Sequence, residues 1–273
     1  MRTIASVIAL LRPHNVAAAV LSVAVGFAMA GGGRWPWALL AAAALATAAG
    51  HTVNDIYDLD IDRVNKPKRP LPAGALPLGA AWIQYFVLVV GTIAVALTLP
   101  RLAAVWVAAW VVLLHLYSAR LKRMYLAGNV LVSAIGASGF LLGASAGGNI
   151  RAGFVPAAFT FFFIMGREIV KDTADIEGDR ASGARTLPIV SGARPALLAA
   201  AAIFAALCVA FPLPAELGYY EAAYGWIMLS TLVPILLVSV WLVLGNRSLA
   251  LVSSLLKLGM FLGCVAFYLG ARR

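Results

Sequence analysis

Apolar residues run along this chain in long, nearly unbroken blocks, and charge is confined to the joints between them. Nine blocks approach or exceed the length needed to cross a hydrocarbon layer ~30 Å thick. They cover residues 14–31, 36–54, 77–99, 102–118, 126–147, 152–171, 194–213, 221–244 and 248–270. The blocks are too long and too uniformly apolar for the alternation of a membrane barrel, so strands do not fit. The pattern predicts an all-α integral membrane fold of about nine transmembrane helices in a bundle. Alanine and glycine recur inside the blocks (Ala41–Ala44, Gly136 to Gly148), and small residues let membrane helices pack closely. No linker or low-complexity stretch divides the chain, which reads as a single membrane-embedded domain over 1–273.

Composition supports this picture. The chain is 63% hydrophobic and 12% charged, about half the usual globular share of charge. The first block opens with Arg12 and Pro13, shows no cleavage site and is followed by many more, so it reads as a span rather than a removable leader. Cys208 and Cys264 lie inside apolar blocks without metal-ligand spacing and are expected to be buried free thiols. The net charge of +10 sits around membrane segments, so no nucleic-acid partner is expected; positive charge there sets orientation and attracts anions.

Nine spans would put the N-terminus on the same side as every second loop. That side collects Arg2, Arg12, Arg63, Lys66, Lys68, Arg69, Arg120, Lys122, Arg123, Arg167, Lys171, Arg180, Arg185, Arg194 and Arg247. The other side has Arg34, Arg101, Arg151, Arg272 and Arg273, and Lys257 stays inside the last block. Fifteen against five predicts a multi-pass protein of the cell membrane with the first group, and the N-terminus, in the cytoplasm.

Acid is rarer and more tightly grouped. Nine of the 11 acidic residues fall between Asp55 and Asp62 or between Glu168 and Asp179. Asp55, Asp58 and Asp62 have the spacing i, i+3, i+7, and Asp172, Asp175 and Asp179 repeat it 117 positions later. On a continuous helix each triad would share one face over roughly 10 Å of axis. Two such carboxylates ~6 Å apart repel by about 3 kcal/mol at an effective dielectric of ~20, so the grouping needs a counterion. Hard oxygen ligands without histidine or cysteine nearby suit Mg²⁺ rather than zinc or copper. Basic residues follow each cluster: Arg63, Lys66 and Arg69 after the first, Arg180 and Arg185 after the second, with Lys122 and Arg123 between. Acid interleaved with lysine and arginine is the chemistry of a metal–phosphate complex, not of a bare cation site. A short echo, Arg69-Pro70-Leu71-Pro72 and Arg185-Thr186-Leu187-Pro188, supports a duplicated plan.

These strings resemble a known family. Asn54-Asp55-x-x-Asp58-x-x-x-Asp62, continuing through Asn65-Lys66-Pro67-x-Arg69-Pro70-Leu71-Pro72-x-Gly74, is similar to the first signature of UbiA-type intramembrane prenyltransferases. Asp172-x-x-Asp175-x-x-x-Asp179 resembles their second signature, and Tyr117-Ser118-x-x-Leu121-Lys122-Arg123 their basic segment. The resemblance spans essentially the whole chain. It implies a prenyltransferase domain whose helices surround a central cavity opening to the cytoplasmic side. It also implies Mg²⁺-dependent transfer of a polyprenyl group from its diphosphate to an acceptor in the membrane. Asn54, Asp55, Asp58, Asp62, Asp172, Asp175 and Asp179 would then hold metal and diphosphate, directly or through water. Arg63, Lys66, Lys122 and Arg180 would neutralise the diphosphate. Asp58, Asp62, Asp175, Asp179 and Lys122 form the implied catalytic set, and the proton-accepting base stays open. The string from Arg167 through Glu177-Gly178-Asp179-Arg180 to Pro188 looks most like the branch that builds archaeal ether lipids. That branch implies a geranylgeranyl diphosphate donor and geranylgeranylglyceryl phosphate as the lipid-like acceptor. Aromatic or tetrapyrrole acceptors are the alternative within the family. A divalent-cation transporter is the rival of a different class, and it fits less well because the acid clusters lie at one face and are crowded by cations. Tyr57, Trp110, Phe140 and Phe161 to Phe163 are expected chiefly to pack, and His51 and Lys257 are polar residues of open role. The loops at 55–76 and 172–193 mix charge, proline and glycine, and read as ordered segments.

Overall fold

The computed structural model describes residues 2–245 and 247–271, the side chains of Arg2 and Thr3 excepted. Arg272 and Arg273, counted above on the sparser side, lie outside the described residues, as does the side chain of Arg2. Among the described residues the regular structure is helical, and a single bridge pairs Tyr220 with Ala271. The chain begins with α1 (Arg2–Leu11) and α2 (Pro13–Met29). These are followed by α3 (Trp37–Tyr57), the short α4 (Leu59–Asn65), α5 (Leu78–Ala96) and α6 (Arg101–Ala119). A basic 3₁₀ turn (Leu121–Arg123) leads to α7 (Ala127–Ala146) and α8 (Phe154–Ala174). After α8 come the short α9 (Ile176–Ala181) and α10 (Leu187–Ser191), then α11 (Ala193–Ala210) and α12 (Leu213–Glu216). The last span pair is α13 (Ala222–Ile227) running through a π turn into α14 (Val233–Leu244), and α15 (Leu249–Gly270). The π turn at Met228–Leu232 precedes Pro234, whose missing N–H breaks the regular ladder.

Each of the nine apolar blocks coincides with a helix. Among the described residues, seven helical segments are long and apolar enough to cross a membrane alone, and α1 with α2, bent by 41°, makes an eighth. The expected count of nine is therefore approximate. Alone, α2 has only 17 residues, and the last third of α3 is diluted by His51, Thr52, Asn54 and Asp55. The bend has a local cause: the residue before a proline is pushed out of the helical region, and Arg12 takes φ +48°.

The described chain divides into two compact units. The first comprises Met1–Val20, Arg34–Leu131 and Glu177–Thr186. Here α3 packs on α5 and α6, and α1 lies against α3. Ala49, Val53 and Ile56, at i, i+4, i+7 of α3, join Leu10, Leu71, Leu76, Ala81 and Tyr85 in a buried apolar core. The same turns of α3 present Asn54 and Asp55 on another face, so apolar packing fixes where the polar stripe points.

The second unit comprises Leu21–Gly33, Val132–Ile176 and Leu187–Arg273. A side chain on Gly26 would strike the Phe140 backbone, and one on Gly143 the Val23 backbone, so α2 and α7 approach at backbone distance. α8 packs against α11 and α15. Rings of Phe159 and Phe211 stack at 5.0 Å, and Phe267 gathers Phe140, Phe159, Tyr220 and Tyr224 around it. Phe140 is fully buried in this cluster, as packing expects.

Candidate active site

Both aspartate triads interrupt a helix at the middle aspartate. α3 ends at Tyr57, Asp58 caps it with φ −89° and ψ 2°, and α4 starts one residue later. α8 ends at Ala174, Asp175 caps it with φ −98° and ψ 8°, and α9 follows. α3 and α8 each have 21 residues and begin at 37 and 154, so the 117-residue offset holds for whole helices. This corrects the expectation of one continuous helical face per triad. The third aspartate of each, Asp62 or Asp179, sits on the short helix after the break. The caps keep one bond to the parent helix, Asp58 N–H to Asn54 O at 2.9 Å and Asp175 N–H to Lys171 O at 2.9 Å.

In the first unit the carboxylates are engaged by cations from distant segments. Arg12 donates to Asp55 Oδ1, and Arg69 donates to Asp55 Oδ1 at 3.3 Å and to Asp62 Oδ2 at 2.5 Å. Lys122 Nζ donates to Asp58 Oδ1, while Asn54 Nδ2 donates to Asp58 Oδ2 at 2.8 Å. Asp55 is 4% exposed and Asp62 2%. Burial pushes the Asp62 carboxyl above its usual 3.8; Arg69 pulls it down, and Asp58 and Asp55 push it further up. Burial alone would lower Arg69, but Asp55, Asp62 and Asp58 together hold it above its ordinary value.

Three segments of this unit are pinned to one another. The Gly178 N–H donates to Asn65 Oδ1 at 3.1 Å, and a side chain on Gly178 would collide with the Asn65 amide. The Arg185 N–H donates to the Arg123 carbonyl at 2.8 Å, and Arg123 Nη2 reaches the Tyr57 carbonyl at 3.4 Å. The segment carrying Asp179 and Arg180 is thereby tied to the end of α4 and to the basic turn.

The structure brings Asn54, Asp55, Asp58, Asp62 and Lys122 into one network. Lys66 caps α4 and is half-buried, and Asp179, also half-buried, belongs to the same unit. Arg63 stands apart, exposed and paired with Asp60 at 2.7 Å, and Arg180 is exposed. Asp172 and Asp175 are half-buried at the end of α8 in the second unit. Sequence reasoning missed Arg12, which it counted only for orientation, and the reach of Arg69 across two carboxylates. A charged residue before a proline, at a joint in an acid-poor chain, was the available signal. It also missed His115, which lies between Tyr85 (Oη to Nδ1, 3.0 Å) and Tyr57 (Oη to Nε2, 3.4 Å) and so steadies the residue before Asp58.

Among the described residues no three Asp, Glu, His or Cys side chains form a ready metal cage. A hexacoordinate hard cation that keeps waters and takes phosphate oxygens needs only one or two carboxylates from the protein, which Asp58 with Asp62, or Asp172 with Asp175, would supply. The all-oxygen donor set, without histidine or cysteine, fits Mg²⁺.

A helical membrane protein whose helices break at repeated aspartate motifs, attended by buried cations, has the makings of an intramembrane transferase acting on phosphate esters. Residues 19–265 match the UbiA prenyltransferase family, and the chain belongs to it. It is 38% identical to the digeranylgeranylglyceryl phosphate synthase of Natronomonas pharaonis, over 99% of this chain and 98% of that one. The Methanopyrus kandleri protein of the same name is 39% identical over 94% and 96% of the two chains. Among solved structures, a UbiA homolog from Archaeoglobus fulgidus bound to DMAPP and Mg²⁺ superposes with a TM-score of 0.73 at 18% identity, covering 97% of this chain and 98% of that one.

Proposed function

We propose that this prenyltransferase moves a geranylgeranyl group from its diphosphate to the free hydroxyl of geranylgeranylglyceryl phosphate, forming an ether lipid, with Mg²⁺ bound at the aspartate motifs. The observation that carries the reading is a set of carboxylates, Asp55 and Asp62 buried and Asp58 half-buried, each engaged by a cation from another segment: Asp55 by Arg12 and Arg69, Asp62 by Arg69, Asp58 by Lys122. Near-complete similarity to relatives of that name supports the acceptor.

In this reading residues 1–273 act as one catalytic domain. Asn54, Asp55, Asp58, Asp62, Asp172, Asp175 and Asp179 hold the metal–diphosphate unit, directly or through water. Bound Mg²⁺ supplies positive charge to the diphosphate oxygens as the allylic C–O bond breaks. Lys122, with Lys66, Arg63 and Arg180, stabilises the leaving diphosphate, whose charge grows along the reaction. The apolar helices hold the isoprenoid chain and keep water from the carbon that becomes positive. The acceptor hydroxyl then forms the new C–O bond at C1, its proton passes to a base, and diphosphate departs. The motifs and the N-terminus face the cytoplasm, which the fifteen-to-five distribution of lysine and arginine supports.

The test is purified protein in lipid with Mg²⁺, radiolabelled geranylgeranyl diphosphate and a panel of acceptors. A prenylated glycerol phosphate is the expected product. A prenylated phenol or chlorophyllide instead would move the enzyme to another branch. Transfer to none of them, with metal flux into proteoliposomes, would sink the enzymatic reading.

A further inference from the structure

α8 carries charge where a membrane helix seldom does. Arg167, Glu168 and Lys171 lie within the candidate span Ile150–Ala174, and Arg167 is seven residues, about 10 Å of helix, before its end. Glu168 is 6% exposed and accepts from Arg167 Nη1 at 2.6 Å and from Lys171 Nζ at 3.0 Å. The Arg167 side chain is 13% exposed, and its buried Nε meets no hydrogen-bond acceptor in the structure. Buried ionised groups on a spanning helix mark function, because apolar residues of the same volume serve stability as well or better.

The duplicated plan sharpens the question. The positions 117 residues earlier on α3 hold Gly50, His51 and Asn54. There Gly50 admits the Leu114 side chain, and the cations come from other segments. α8 alone builds two cations into the helix, aligned at i and i+4 and spaced by a carboxylate. If both halves served only the donor's diphosphate and its metal, this asymmetry would have no use. The second anion of the reaction proposed above is the acceptor's phosphate. A guanidinium that spends Nη1 on a carboxylate still offers its Nε edge, and that edge matches two oxygens of a phosphate monoester.

We propose that Arg167 and Lys171, aligned by Glu168, bind the phosphate monoester of the acceptor lipid. The inference rests on the reading of the acceptor given above, and it makes Arg167 and Lys171 specificity-determining residues, with Glu168 a positioning residue. Glu168, held by two cations, serves alignment and not proton removal.

The experiment compares wild type, Arg167→Gln, Arg167→Lys and Lys171→Gln in detergent. Equilibrium binding of geranylgeranylglyceryl phosphate and of its dephosphorylated alcohol is measured without donor or Mg²⁺, followed by KM for each substrate. Wild type should prefer the phosphorylated lipid at least tenfold. Arg167→Gln should lose about tenfold to a hundredfold of that affinity, the scale of one charge-assisted bond, while the KM for geranylgeranyl diphosphate stays within about twofold. Arg167→Lys, which keeps charge but not the fork, should fall between, and Lys171→Gln should weaken the same preference should Arg167→Gln not fold. An unchanged preference in the variants, or an equal rise in both KM values, overturns the proposal. If wild type binds the phosphorylated lipid with this preference yet prenylates no phosphorylated acceptor, the proposed reaction falls and this site stands.

Discussion

The two aspartate motifs share spacing, helix length and the break at the middle residue, yet the cations around them come from different places. The first, on α3 and α4, has no cation in its own helix before the break and draws Arg12, Arg69 and Lys122 from segments 43, 14 and 64 residues from their partners. The second, on α8, carries Arg167 two turns and Lys171 one turn before its break, both paired with Glu168. The Leu-Pro echo diverges in the same way. Arg69 turns inward to two carboxylates, whereas Arg185 is exposed and contributes its backbone N–H. The two halves share the spacing and the helix break, and they differ in where their cations stand.

If the shared geometry is what catalysis requires, the middle aspartates should be equivalent. Asp58→Asn and Asp175→Asn should each lower the rate of geranylgeranyl transfer by about 10²–10³-fold or more with the fold intact, as scintillation counting of product and thermal unfolding would record. Wild-type turnover in both would remove the metal role from the motifs.

The long-range neutralisation of the first motif predicts a different kind of loss. Arg69→Gln leaves buried Asp55 and Asp62 without their common partner, which destabilises a buried pair by about 3–5 kcal/mol. Unfolding of the detergent-solubilised protein should show this, and Arg185→Gln should barely move it.

The pinning of the Asp179 segment predicts a smaller effect. Gly178→Ala forces its new methyl into the Asn65 amide and should cost about 1–3 kcal/mol, with Asn65→Ala relieving part of it. Additive losses in the double variant would show that the two residues do not touch. The smallest effect belongs to the exposed pair: Arg63→Gln should change stability by no more than about 0.5 kcal/mol, since Arg63 and Asp60 both face solvent.

How much of this was legible follows from what each signal reports. Apolar blocks report helices, and all nine corresponded to one. Spacing reports periodicity but not continuity, so i, i+3, i+7 predicts an unbroken face, whereas Asp58 and Asp175 each end a helix. Among the basic residues after the first motif, proximity in sequence misled. Arg63, adjacent to buried Asp62 on α4, points to the other side of that short helix, while Arg69 returns through the following turn to reach Asp55 and Asp62. The pairing of Arg12 with Asp55 depends on α1 packing against α3, which no local pattern encodes.

The central claim is that the aspartate motifs ionise a prenyl diphosphate with Mg²⁺. The most direct measurement is single-turnover release of diphosphate from geranylgeranyl diphosphate, followed alongside prenylated product while Mg²⁺ is titrated and then chelated. One diphosphate released per group transferred, rising with Mg²⁺ and abolished by chelator or by Asp58→Asn, is the predicted result. Transfer that survives chelation, or Mg²⁺ crossing proteoliposomes with no diphosphate released, would contradict it.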